Sequence, residues 1–180
     1  IVATDIGIGF SQDMSTPEAA LQAANQAKEA LGKDSTIDLA IIFSTIHYNP
    51  LETLLVVRKT LGEPRTVGSS TAGVILSEMI SMRGIAVLAI SSDEIKFGVG
   101  SANDIDGQDA RQAGISIAKS AINDFGQHRR QAFLFFVDGL FKSNSVLIKG
   151  LHEVFGNVFP LVGAGSCDDF NFKKTYQYSS

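Results

Sequence analysis

TVGSSTAGVI, residues 66–75, decides how this chain is read. Residues 65–67 have the character of a short buried strand, yet Gly68, Ser69, Ser70, Thr71, Ala72 and Gly73 carry too little apolar area to fill a sheet interior. Such a run predicts a tight turn at a strand end, where amides and hydroxyls face whatever fills the space beyond. LVGAGSCDDF, residues 161–170, repeats the pattern of an apolar approach, glycine and small polar residues.

Outward from that run, IDLAIIF (residues 37–43) is too apolar for a half-exposed strand and predicts one covered on both faces. Residues 2–10 form another short apolar run containing Gly7 and Gly9. Two more strands are expected at 85–90 and 95–99, joined by a turn at Ser91-Ser92-Asp93-Glu94. Thr16 followed by Pro17 opens a helix that carries Ala20, Ala24, Ala27 and Leu31 at helical spacing and stops at Gly32. Its alanine stripe lets the helix approach a sheet closely. Asn49, Pro50 and Glu52 cap a second helix, with Leu54, Val57 and Leu61 on its buried face and Gly62 as its stop. KKTYQYSS, residues 173–180, reads as a strand with nothing after it to pair with.

The order of elements recurs. IGIGFS (6–11) is echoed by FGVGSA (97–102), and IDLAIIF by AFLFFVD (132–138). The alanine helix is echoed by Ala110, Ala113, Ile117, Ala121 and Phe125 before Gly126, and the second helix by Leu147, Leu151 and Phe155 before Gly156. These echoes predict an internal duplication, 1–91 and 92–180, in an α/β fold of β-α-β-α-β units forming mixed sheets with packed helices. Right-handed crossovers bring the C-terminal strand ends to one edge, which gathers the loops 44–49, 68–73, 138–143 and 163–169. The candidate ligand-binding residues are therefore Gly68, Ser69, Ser70, Thr71 and Gly73 from one half, Gly163, Gly165, Asp168 and Asp169 from the other, and His47, the one histidine in a strand-end loop.

Composition narrows the function. The 180 residues are 44% hydrophobic and 19% charged, enough for one sizeable core. Fifteen Lys and Arg stand against 19 Asp and Glu, for a net charge of -4, with basic clusters at His128-Arg129-Arg130 and Lys173-Lys174. That balance argues against a nucleic-acid partner. The apolar runs at 84–90 and 132–137 are far shorter than a membrane span, and no signal peptide is visible, although the chain starts at Ile1. A single cysteine, Cys167, forms no internal disulfide and fits a reducing, cytoplasmic setting. Beside Asp168 and Asp169 its thiolate is disfavoured, so a buried or inert thiol is expected. His47, His128 and His152 share no metal-ligand spacing, and no cofactor is expected: Gly7-x-Gly9 and Gly98-x-Gly100 lack the third glycine of a dinucleotide fingerprint and read as close packing. Gly68-x-Ser70-x-Ala72 has a faint likeness to a nucleophile elbow, but residues 74–82 show no helical stripe and no loop histidine stands ready as a base, so a non-enzyme is expected.

VGSSTAGVI (67–75) and VGAGSCDDFNF (162–172), in this order of elements, resemble the N-terminal FIST domain, named for F-box and intracellular signal transduction proteins. The resemblance covers nearly the whole chain. It implies a bacterial sensory module that binds a small ligand such as an amino acid and works with chemoreceptor, diguanylate cyclase or kinase output modules. The residues suit a zwitterion, since Ser69, Ser70 and Thr71 can donate to a carboxylate and Asp168 or Asp169 can accept from an ammonium group. A protein-interaction module without a small ligand is the alternative, and a hydrolase using Ser70 a further one.

Overall fold

The computed structural model describes residues 4–32, 35–103 and 109–180, so Val2, in the first apolar run, lies outside the described residues. In chain order the elements are β1 (Thr4–Ser11), α1 (Thr16–Leu31), β2 (Leu39–Thr45), α2 (Pro50–Leu61), β3 (Arg65–Thr71), β4 (Val74–Ile75), β5 (Ile80–Ser81), β6 (Ile85–Ser92), α3 (Ala110–Phe125), β7 (Phe133–Asp138), α4 (Asn144–Phe155), β8 (Leu161–Ser166) and β9 (Gln177–Ser179). The fold class is α/β, with one mixed five-stranded sheet, β1-β6-β2-β3-β9, a parallel pair β7-β8 and the small hairpin β4-β5. Within the large sheet β2 and β3 are parallel, while β6 runs antiparallel to both β1 and β2, and β9 antiparallel to β3.

The helices end where their chemistry says they should. Asn49 Oδ1 accepts the Glu52 amide at 3.1 Å, Pro50 supplies the first turn of α2, and Gly62 closes it at φ +85°, where a side chain would be strained. For α1 the N-cap falls on Ser15, with Thr16 already inside the helix. The alanine stripe packs as its small size predicts: Ala20, Ala23, Ala24 and Ala27 are fully buried, and a Cβ added at Gly7 or Gly9 of β1 would overlap the carbonyl oxygen of Ala27 or Ala23. The second glycine pair does the same work, with Gly98 against Phe125, and Gly100 against the Ile117 carbonyl and Ala121 of α3.

These contacts arrange the chain in layers. One face of the large sheet, including Ala40, Ile42, Ile85 and Val87, packs under α1 and α2 with Ala24 and Val57. Along β2 the alternate face carries Phe43, whose ring meets Phe136 of β7 edge-on at 5.6 Å. The other face of β7, Phe133, Phe135 and Val137, packs under α3 and α4 with Ala118, Leu147 and Leu151. Two sheets thus lie face to face between two pairs of helices.

Four expectations need correction. The small-residue run 68–71 is not a turn but the second half of β3, and 161–166, with Gly163 and Gly165, is the strand β8. Each is held in a strand by a parallel neighbour, β2 or β7. Residues 95–99 form no ladder; β6 turns away into the sheet centre between β1 and β2 and leaves them without a strand partner among the described residues. Finally, the C-terminal run narrows to β9, which does find a partner by pairing back onto β3.

The close approach of β1 to α1 is testable. Gly9→Ala should destabilise the protein by at least about 3 kcal/mol in a urea titration, because its methyl has no room beside a helix carbonyl. A loss within about 0.5 kcal/mol would mean that helix and strand separate readily.

Candidate functional site

The C-terminal ends of β3 and β8 are stitched together by hydroxyls. Parallel register sets Ser44 opposite Ser70 and Thr45 opposite Thr71 in one sheet, and Asp138 opposite Ser166 in the other. The buried hydroxyls of Ser69 and Ser166 are hydrogen-bonded at 2.8 Å, and Ser69 Oγ also lies 2.9 Å from its neighbour's carbonyl oxygen, that of Ser70. Ser70 points to the other side of β3. Its hydroxyl donates to the Cys167 carbonyl at 2.8 Å and accepts the Tyr176 amide at 3.0 Å, while the Ser70 backbone pairs with the amide of Cys167 and the carbonyl of Tyr176. Gln177 Nε2 donates to Ser166 Oγ and Thr175 Oγ1, and the Thr175 hydroxyl donates to Asp138 Oδ1 at 2.7 Å. Below this network the Tyr178 phenol, 2.6 Å from Ser44 Oγ, is pushed up from its ordinary pKa by burial.

Asp168 organises the loop after β8. Its carboxylate accepts the amides of Phe172 at 3.0 Å, Lys173 at 2.6 Å and Lys174 at 3.1 Å, while Asp169, Phe170 and Phe172 take left-handed φ values of 54°, 58° and 51° around it. Such values are uncommon without glycine, and the three amide bonds are what over-determine them. The Lys173 amide foremost, then those of Lys174 and Phe172, hold the Asp168 carboxyl below the usual carboxylate range against the opposing effect of burial. With both oxygens engaged by backbone, Asp168 caps the loop and leaves Asp169 as the aspartate whose carboxylate accepts no hydrogen bond among the described residues.

Thr71 behaves differently from its neighbours. Its Oγ1 is buried and has no hydrogen-bond partner among the described residues. Thr71 and Gly73 line a cavity of about 340 Å³ whose walls are otherwise apolar, chiefly Ile8, Phe43, Val74, Leu76 and Leu88. His47 stands exposed at the end of β2, with Nδ1 3.0 Å from Thr45 Oγ1, the hydroxyl that also accepts the Gly84 amide. Gly73 packs beside the Ser81 carbonyl of β5. Gly163 is paired with Phe135 and Gly165 approaches Gly139, both on the exposed strand β8. Of the expected buried or inert thiol, burial does not hold: Cys167 is exposed, because only its backbone is drawn into the Ser70 junction. The structure thus brings Ser69 and Ser70 together with the β8 end, and sets Thr71 with Gly73 at the cavity. Missing from the sequence reading were Thr175, Tyr176 and Gln177: Tyr176 pairs with Ser70, 106 positions away, Thr175 with Asp138, 37 positions away, and Gln177 with Ser166, 11 positions away; their polar, β-prone composition was the available signal.

The Asp168 cradle predicts a pH signature. Its depressed folded-state value means that the ionised carboxylate stabilises the fold at and above the unfolded value, about pH 3.9, and that this contribution disappears as pH falls through the folded value. The stability gap between wild type and Asp168→Asn should therefore shrink as urea titrations step from about pH 5 to about pH 2. A gap that stays constant over that range would show that the carboxylate's charge is not what holds the loop.

Comparison with known proteins completes the site. The search of curated proteins finds no match. Among solved structures, an FtsZ mutant from M. jannaschii is similar at 19% identity and a TM-score of 0.35; the match covers 49% of this chain and 27% of that one, and a likeness so partial carries no argument. The family model described as FIST N domain matches residues 38–180, from the start of β2 through β9. With four-fifths of the sequence inside that match, the chain belongs to the FIST N domain family, whose domains are associated with signal transduction.

Proposed function

We propose that the chain is the small-ligand-binding sensory part of a cytoplasmic signal transduction protein. Its ligand is a small zwitterion such as an amino acid, with an apolar side chain. The observation that carries this reading is Thr71, which lines a small apolar cavity and whose buried hydroxyl has no hydrogen-bond partner among the described residues. A buried polar group left unpaired costs about 1–3 kcal/mol, and rotation of the Thr71 side chain toward the cavity lets a ligand's polar end bond to its hydroxyl and relieve that cost while the ligand's side chain fills the space between Phe43, Ile8 and Leu88. A cavity of about 340 Å³ is at the small end of the range for ligand sites, which suits a metabolite of amino-acid size. Binding there touches β1, β3, β4 and β6 at once, so occupancy stiffens the hairpin β4-β5 against the large sheet and offers a changed surface to an output module. Among the described residues no helix is long and apolar enough to cross a membrane.

The reading is non-catalytic. Ser70, the residue an elbow would use as nucleophile, both donates to and accepts from backbone groups, which supports a structural duty for its hydroxyl.

A thermal-shift screen of amino acids and related metabolites tests the proposal. A ligand at about 100 times its Kd adds about 2.7 kcal/mol of stability, which should raise Tm by about 5–10 °C in a domain of this size. Thr71→Val preserves the shape of the side chain and should abolish the shift. A shift that survives Thr71→Val places the ligand elsewhere, and no hit across a broad metabolite set favours the protein-interaction module.

A further inference from the structure

Most arginines of this chain are engaged by the fold. Arg58, Arg65 and Arg111 pair with Glu63, Asp124 and Glu153, and Arg83 lies over the Tyr48 ring while donating to the Met14 carbonyl. Arg129 and Arg130 are exposed, and their side chains make no ion pair, hydrogen bond or aromatic contact among the described residues. With His128 they line a groove of about 660 Å³ that lies between residues 96–100 and the start of β7 and is floored by Leu39 and Ile41 of β2. Its course follows from the backbone. Gly98 packs against Phe125, the last residue of α3, and Gly100 against Ala121, one turn earlier. Two residues that pass about 6 Å of helix are extended, so Phe97 to Gly100 runs away from the end of α3. β7 leads away from the same end, because residues 126–132 join α3 to it. The groove is therefore elongated, with the basic run at one end and Phe97, Val99, Phe133 and Leu134 along its sides. It takes the Leu39 end of β2, whereas the cavity at Thr71 touches Phe43 nearer the other end.

We propose that this groove binds a linear acyl chain with a carboxylate head, a free medium- or long-chain fatty acid, as a second ligand distinct from the one at Thr71. Arg129 and Arg130 hold the head, since a planar guanidinium offers paired N–H donors that match the two oxygens of a carboxylate. The charge balance favours an anion there: Lys96, Arg129 and Arg130 line the groove against one carboxylate among its described lining residues, that of Glu94, in a chain whose net charge is -4. The acyl chain runs from that end between Phe97, Val99 and Leu134 and over Leu39 and Ile41, where its methylenes leave water. Other classes fit less well. A sugar phosphate or nucleotide would engage the arginines but set its hydroxyls against apolar walls, and an uncharged lipid would leave both arginines unused. A groove bounded by two chain segments running the same way suits a flexible chain better than a broad ring. Its volume of about 660 Å³ falls in the ordinary range of ligand sites, about 300–1,000 Å³.

The probe is decanoate, titrated into the full chain by calorimetry below its micellar concentration. Octanoate should bind about tenfold more weakly and dodecanoate about tenfold more tightly, as expected when each pair of methylenes is buried. The double variant Arg129→Gln, Arg130→Gln should weaken decanoate about tenfold or more, and should leave 1-decanol, which has the chain without the charge, within about twofold. Both arginines are exposed and lie outside every helix and strand, so this variant reads the head contact without a folding defect. Leu134→Asp, at an exposed position on the groove wall, sets a carboxylate beside the acyl chain and should weaken decanoate and 1-decanol alike, about tenfold or more, with circular dichroism checking that the fold is kept. Decanoate that fails to bind, binds without regard to chain length, or binds the arginine variant as well as the wild type overturns the proposal. Binding undiminished by Leu134→Asp puts the acyl chain elsewhere and overturns it as well.

Discussion

The structure depends on the hydroxyl-bearing end of β3. Ser69 and Ser70 point to opposite sides of one strand, and each is bonded across to the second half of the chain, Ser69 to Ser166 and Ser70 to Cys167 and Tyr176. No apolar pair could do this at such short range. Side chains of two or three heavy atoms let β3, β8 and the approach to β9 come close enough for hydroxyl and backbone groups to meet, and burial at a few per cent exposure makes each bond costly to leave unmade. The two sheets are thereby set in one relative position, which in turn shapes the cavity beside Thr71 and the groove beside β7.

Much of this arrangement was legible in the sequence, for local reasons. Helix starts and stops at Asn49, Pro50 and Gly62 are decided within a few residues, and they stand where the sequence puts them. The glycine pairs at 7 and 9 and at 98 and 100 read as close packing because their spacing of two faces one side of an extended chain, and both pairs meet a small-residue helix. What was not legible was set by distant partners. Residues 68–71 read as a turn because nothing within the run reveals that β2 will pair with them on one side and that β9, more than 100 residues later, will pair with Gly68 and Ser69 on the other. Residues 95–99 carry a strand pattern yet lack a ladder, because a strand exists only with a neighbour.

The same distinction applies to the candidate site. Small polar residues at strand ends were legible as a cluster, but composition alone does not divide a hydroxyl that binds protein from one that binds a ligand. Ser69, Ser70, Ser166 and Asp168 are engaged by the fold, each with partners at ordinary distances. Thr71, next in sequence, has a hydroxyl that is buried without a partner among the described residues. Its position where β3 ends and the β4-β5 hairpin begins explains the difference: the polypeptide turns away there, and an apolar cavity takes the place of another strand.

The junction itself is open to one direct measurement. A double-mutant cycle on Ser69→Ala and Ser166→Ala, read by urea unfolding, isolates the contact between the two halves from the separate cost of each truncation. If the hydroxyl pair holds the sheets together, the coupling energy should lie between about 0.5 and 3 kcal/mol. Additivity within about 0.3 kcal/mol would contradict it, and would mean that the two sheets are positioned by apolar contacts such as Phe43 on Phe136.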